Sequence, residues 1–251
     1  MATDATPQQP LMAHLLELRT RLLRAVAAVL VAMLALLPFA KPLYSTLARP
    51  LMERLPEGAS MIATGVAAPF LAPFKFAMML AVFLAMPFVA YQAWAFAAPG
   101  LYRREQALAV PILVSSVVLF YLGMVFAYFA IFPIVFGFFA SAAPAGVLVM
   151  TDVTSYLDFV LTLFFAFGLA FEVPVVVVLL VLLGFVSTAS LRRARPYVIV
   201  GAFVVGMLLT PPDVFSQTIL AVPVWVLFEL GLIVARVLEK NAVRGESVKA
   251  E

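Results

Sequence analysis

Four carboxylates in this chain stand where carboxylates are costly or out of place. Glu172 lies in the middle of the apolar run 159–185, where an ionised side chain costs at least ~2.5 kcal/mol on insertion scales. It is either a functional polar site within a membrane or a protonated, hydrogen-bonded structural glutamate. Glu229, low in the run 214–235 and followed by Arg236, fits a side chain that snorkels or pairs near an aqueous face. Glu17 and Glu105 are acids set among arginines, Glu17 beside Arg19, Arg21 and Arg24, and Glu105 beside Arg103 and Arg104. Two such carboxylates at one membrane face offer acceptors for two guanidinium groups, whose planar fork matches a carboxylate; each charge-assisted bond contributes ~1.5–3 kcal/mol. The competing reading of Glu17 is a solvated charged helix face that only sets topology.

Catalytic sets are missing. The single histidine, His14, precedes the first apolar run and there is no cysteine, so a serine–histidine dyad, a thiol nucleophile and an H-E-x-x-H zinc site within a membrane are all excluded. No phosphate-cradling G-x-x-x-x-G-K-[ST] loop occurs. We expect neither enzyme activity nor a metal or cofactor.

The elements that carry these residues follow from hydropathy. Apolar residues make up 65% of the chain and charged ones 12%, too much apolar surface for a soluble core of this size. Runs of ~20 apolar residues without strand-like alternation predict membrane-spanning helices. The expected fold is an all-α, polytopic transmembrane helical bundle, a single membrane domain. Its six spans cover about 22–40, 76–98, 108–140, 159–185, 197–209 and 214–235. Residues 1–21 form an amphipathic segment that leads into span one, with Leu11, Leu15, Leu18 and then Leu22 on one face of the helix and His14, Glu17, Arg21 and then Arg24 on another. They lack the apolar core of a cleavable signal.

Arginine and lysine cluster before span one, after spans two and four, and after span six, which places both termini in the cytoplasm. The basic balance is a topology signal rather than a nucleic-acid footprint. Residues 41–75 break the rule with four bases against two acids, and their prolines suggest a compact periplasmic cap. Residues 236–251 read as a cytoplasmic tail. Pro38, Pro87, Pro133, Pro174 and Pro223 lie inside apolar runs and predict kinks. Span five, between Pro196 and Pro211, reaches only ~20 Å, and thinned lipid beside spans five and six is expected. Ala202 and Gly206 form a small-xxx-small pair on span five, suited to another protein's helix or to packing within the chain.

Five stretches carry a resemblance: HLLELRTRLLRAV from His14, MIATGVAAPF from Met61, WAFAAPGLYRRE from Trp94, AFGLAFEVPVVV from Ala166, and RPYVIVGAFVVGMLLTPPDVFSQ from Arg195. Together they resemble the TatC family, the signal-reading subunit of the twin-arginine protein translocase, over nearly the whole chain. The resemblance implies a glove-like concave face with short fifth and sixth spans, and a receptor for the twin-arginine signal peptide of folded precursors. Export would run on the proton-motive force across a bacterial cytoplasmic (inner) membrane. It implies a signal-peptide site of Glu17, Glu105, Arg19, Arg21, Phe96 and Tyr102, an intramembrane polar site at Glu172, and periplasmic roles for Pro50 and Asp213. It further implies TatB-like and TatA-like single-span partners, met through Ala202, Gly206, Met207, Thr210 and Gln217, and other copies of the chain itself. The alternative carried alongside is a small-solute or proton secondary transporter built on Glu172.

Overall fold

The computed structural model of the protein describes residues 8–52, 61–97, 103–142, 150–209 and 213–247, all helical apart from short turns and connections. The only β feature among them is one parallel bridge between Ile62 and Asp152. Among the described residues five stretches are long and apolar enough to cross a membrane, namely His14–Arg49, Ala68–Phe96, Val110–Phe139, Val153–Leu182 and Val214–Glu239. A sixth apolar helix, Arg195–Leu209, has 15 residues and is about 22 Å long at 1.5 Å per residue, as the flanking prolines predict.

Two compact units divide the chain. One holds residues 1–47 and 67–117. Here α1 (Gln8–Leu36) packs on α3 (Ala68–Ala97), and α4 (Arg103–Phe126) begins. The seam uses small side chains: Ala25 of α1 is buried, as are Ala77, Ala81, Ala85 and Ala90 of α3. Most other described side chains of α1 are exposed, including Leu15, Leu18, Leu22 and Leu30, which suits a helix whose surroundings are lipid.

The other unit holds residues 48–66 and 118–251. It contains the end of α4, α5 (Phe132–Ser141), α6 (Val153–Ala170), α7 (Val173–Leu182), α8 (Thr188–Arg193), α9 (Arg195–Leu209) and α10 (Val214–Ser247). Helix α10 packs on α7 and α9 around Val177, Phe228, Leu232 and Ala235.

Proline explains where helices break. Pro38 sits in a 3-10 turn, Leu37–Phe39, between α1 and α2 (Ala40–Met52). Pro133 has no N–H for the carbonyl of Phe129, and a π turn, Ala127–Ile131, absorbs the mismatch. Pro174 has none for Ala170, and the expected span 159–185 is two helices, α6 and α7, parted at Phe171 and Glu172. Pro87 and Pro223 stay inside continuous helices.

Three expectations need correction. The cap segment 41–75 is helical at both ends, because Pro42 lies in the first turn of α2 and Pro69 in the first turn of α3, where a missing N–H costs nothing. The sixth span is not short: its apolar stretch Val214–Glu239 has 26 residues. Nor is 236–251 simply a tail, since α10 continues to Ser247 through arginine, glutamate and lysine, all good helix formers.

Candidate functional site

The amphipathic start of α1 presents Glu17 and Arg21 one turn apart. Arg21 donates Nε at 2.9 Å and Nη2 at 2.6 Å to the same carboxylate oxygen, Oε1 of Glu17. Arg19 and Arg24 are exposed nearby. A groove of about 370 Å³ runs alongside, lined by Leu16, Glu17, Thr20, Arg21 and Arg24. The imidazole of His14 stacks on Phe96 at 4.2 Å between ring centroids, with planes 20° apart. That contact brings the last turn of α3 to the start of α1, so Phe96 joins the element that carries Glu17, Arg19 and Arg21. Glu105 lies in the first turn of α4, in the same unit, with its side chain outside the described residues. Tyr102 is outside them altogether.

In the second unit Glu172 occupies the break between α6 and α7, half-buried, at the N-cap position of α7. Its N–H donates to Leu169 and its carbonyl accepts from Val176, both at 3.0 Å. The break is braced from α10: a Cβ on Gly231 would stand 2.8 Å from Cα of Pro174 and 3.1 Å from Cβ of Val177. Only glycine permits that approach, and sequence reasoning did not single it out. Glu229 does pair, but with Arg195, at 2.5 Å between Oε2 and Nη2. The partner is not Arg236, the arginine that follows it on α10; the contact joins α10 to the first residue of α9.

At the other end of α9 and α10, Asp213 caps α10 by accepting the N–H of Ser216 at 2.7 Å through Oδ1, while its carbonyl accepts from Gln217. Gly206 is buried, with the site of its Cβ 3.6 Å from Cα of Gln217, and Ala202 is buried too. The small-residue pair is therefore used for packing within the chain. Met207 is 52% exposed. Thr210 lies outside the described residues, as does the side chain of Pro50, whose backbone belongs to α2.

A second residue that sequence reasoning missed is Asp152. It caps α6 through Oδ1, accepting from the N–H groups of Thr154 at 3.0 Å and Ser155 at 2.9 Å. Through Oδ2 it also accepts the N–H and hydroxyl of Thr64, at 3.0 and 2.8 Å. Main-chain bonds from Ile62 to Thr151 and from Val153 to Ile62 complete the join. The N–H of Ser155, then the N–H and hydroxyl of Thr64, hold its carboxyl far below the usual range. An aspartate just before an apolar run is a visible cap signal; the partner at Thr64 is not visible.

The profile of one protein family, described as Sec-independent protein translocase protein (TatC), matches residues 13–223. The protein of that name from Azotobacter chroococcum is 64% identical over 229 residues, 91% of this chain and 90% of the relative. The one from Escherichia coli is 57% identical over 228 residues, 91% of this chain and 88% of that one. A crystal structure titled as the twin-arginine translocase receptor TatC matches with a TM-score of 0.80 at 34% identity, covering 89% of this chain and 98% of the other. With five long apolar helical stretches among the described residues and family likeness from residue 13 to residue 223, this chain is a multi-pass membrane protein of the TatC family, a subunit of the Sec-independent, twin-arginine protein translocase.

Proposed function

We propose that this subunit is the signal-peptide receptor of its translocase and that Glu17 and Glu105 hold the paired arginines of folded precursors. The observation that carries the reading is the accessible Glu17 carboxylate, 35% exposed, on the element that His14 and Phe96 tie to the end of α3. Glu105 starts the next helix in the same unit. Arg19, Arg21 and Phe96 frame the site, and the family resemblance adds Tyr102 to it. Its place is the cytoplasmic face of a bacterial inner membrane, with the basic segments inside and export driven by the proton-motive force. The apolar part of the signal then moves toward Glu172, and Pro50 and Asp213 shape the opposite face. TatB-like and TatA-like single-span proteins and further copies of the chain complete the assembly, with the exposed Met207 of α9 as the leading contact and Thr210 and Gln217 as further ones.

Glu17→Ala combined with Glu105→Ala is expected to abolish photo-crosslinking to a twin-arginine signal peptide, and lysine at both positions to do so through like-charge repulsion as well. Undiminished crosslinking would remove the acidic site. The solute-transporter alternative finds no support among the relatives, which carry the name of a protein translocase.

A further inference from the structure

Glu17 is already occupied in the resting chain. Arg21 directs two donors at one of its oxygens, and no other hydrogen bond or ion pair to Glu17 is present among the described residues. The pair is lopsided: the arginine side chain keeps 21% of its exposure and the glutamate 35%, so the acid is the more open partner. Thr20, between them in sequence, gives its hydroxyl to the carbonyl of Leu16 at 2.9 Å and does not compete for the carboxylate.

The surroundings are cationic. From Glu17 to Arg24 three arginines accompany one carboxylate, a net charge of +2, and Arg103, Arg104 and Glu105 carry a net +1. The field of these segments therefore opposes an approaching dication. What can hold an incoming arginine is a short-range exchange at the carboxylate itself, in which the number of charges and of charge-assisted bonds is conserved.

We infer that Arg21 is the internal occupant of the Glu17 site, and that a precursor's arginine binds by displacing it. The inference rests on the reading of Glu17 as the signal-peptide acid. The displaced guanidinium has room in the adjoining groove, which Arg21 itself lines with Leu16, Thr20 and Arg24. Competition of this kind taxes every occupant alike, because the resting Arg21–Glu17 pair is the common starting state. An arginine replaces the resident fork donor for donor, whereas the compact ammonium of lysine presents no planar fork and recovers less of the bonding that the exchange breaks. The rival lowers both affinities by the same factor, and the contact made sets their ratio.

The test uses the full chain in lipid nanodiscs and two fluorescent signal peptides, one with paired arginines and one with paired lysines at the same positions. Arg21→Gln is expected to bind both peptides about two- to tenfold more tightly and by the same factor, so that their affinity ratio stays that of the wild type. Arg24→Gln, which removes the same charge from an exposed side chain not bonded to Glu17, should gain less. Unchanged or weaker binding of both peptides to Arg21→Gln, or an equal gain in Arg24→Gln, overturns the inference. If Arg21→Gln does not elute as a folded species, Arg21→Lys decides alone, since it keeps the charge and loses the fork: tighter binding of both peptides supports the exchange and unchanged or weaker binding refutes it. Glu17→Gln is the separate control. Loss of both peptides supports Glu17 as the acid, and wild-type binding there removes the receptor site itself, whatever Arg21 does.

Discussion

The carboxylate of Asp152 reaches Thr64, 88 residues earlier, and accepts both its backbone N–H and its hydroxyl while capping α6 with its other oxygen. One side chain thus joins the segment before α3 to the start of α6. Asp152→Ala should expose the amide of Thr64 to solvent hydrogen exchange and lower the thermal midpoint, and Thr64→Val, which keeps the backbone bond, should do so less. Equal protection of residues 61–66 in Asp152→Ala would show that the Ile62 bridge suffices alone.

The same join has a defined pH response. The folded carboxyl is held below its ordinary value by the Ser155 and Thr64 bonds, so its contribution is complete above the ordinary carboxylate range. It is lost only as pH falls through the depressed folded value. Exchange protection at Thr64 should therefore persist at pH 5 and fail only in strong acid. In Asp152→Asn, protection of this amide should not respond to pH across that interval. Loss of wild-type protection near pH 5 would contradict the assignment.

Gly231 lies against Pro174 where α10 crosses the break that carries Glu172. A methyl group there meets backbone atoms at 2.8 and 3.2 Å, which cannot move aside as a flexible side chain would. Gly231→Ala should cost about 1–3 kcal/mol through overpacking. Gly201→Ala, whose Cβ meets nothing within 4 Å, should stay within about 0.5 kcal/mol of the wild type. Thermal unfolding in detergent distinguishes the two, and comparable midpoints for both variants would refute the close approach.

The Arg195 and Glu229 pair joins α9 to α10 with both side chains partly covered, 38% and 24% exposed. Glu229→Ala leaves a half-covered guanidinium without its counter-charge. A loss of about 1–2 kcal/mol is expected, below the range for fully buried pairs because solvent screens this one. In a double-mutant cycle with Arg195→Ala, a coupling energy above about 0.5 kcal/mol would support the contact, and strict additivity would remove it.

Exposure separates the proposed partner contacts. Met207 is open while Ala202, about a turn away on α9, is buried against the chain's own helices. Since the chain has no cysteine of its own, Met207→Cys should form disulfides with single cysteines placed in a single-span partner, and Ala202→Cys should not. Efficient crosslinking at position 202 with none at 207 would reverse the face assigned to the partner.

Much of the site was legible because it is local. Helical spacing alone placed Glu17 on the charged face of α1, and its fourth neighbour Arg21 is the residue that binds it. Proline positions foretold the irregularities at Pro38, Pro133 and Pro174. The same signal misled in 41–75, where proline at a helix start and proline in a loop look alike in one dimension. Glu229 shows the other limit. Its near neighbour in sequence was Arg236, yet the contact goes to Arg195, 34 residues away.

Hydropathy by itself determined that this chain lives in a membrane as helices, because backbone polar groups in hydrocarbon have no other way to be satisfied over runs of such length. Charge and motif singled out Glu17, Glu105, Glu172 and Glu229 as candidates. Tertiary structure decided which cation neutralises Glu229, which loop Asp152 secures and which helix rests on Gly231. Each of those depends on distances across the fold, and residue order does not state such distances.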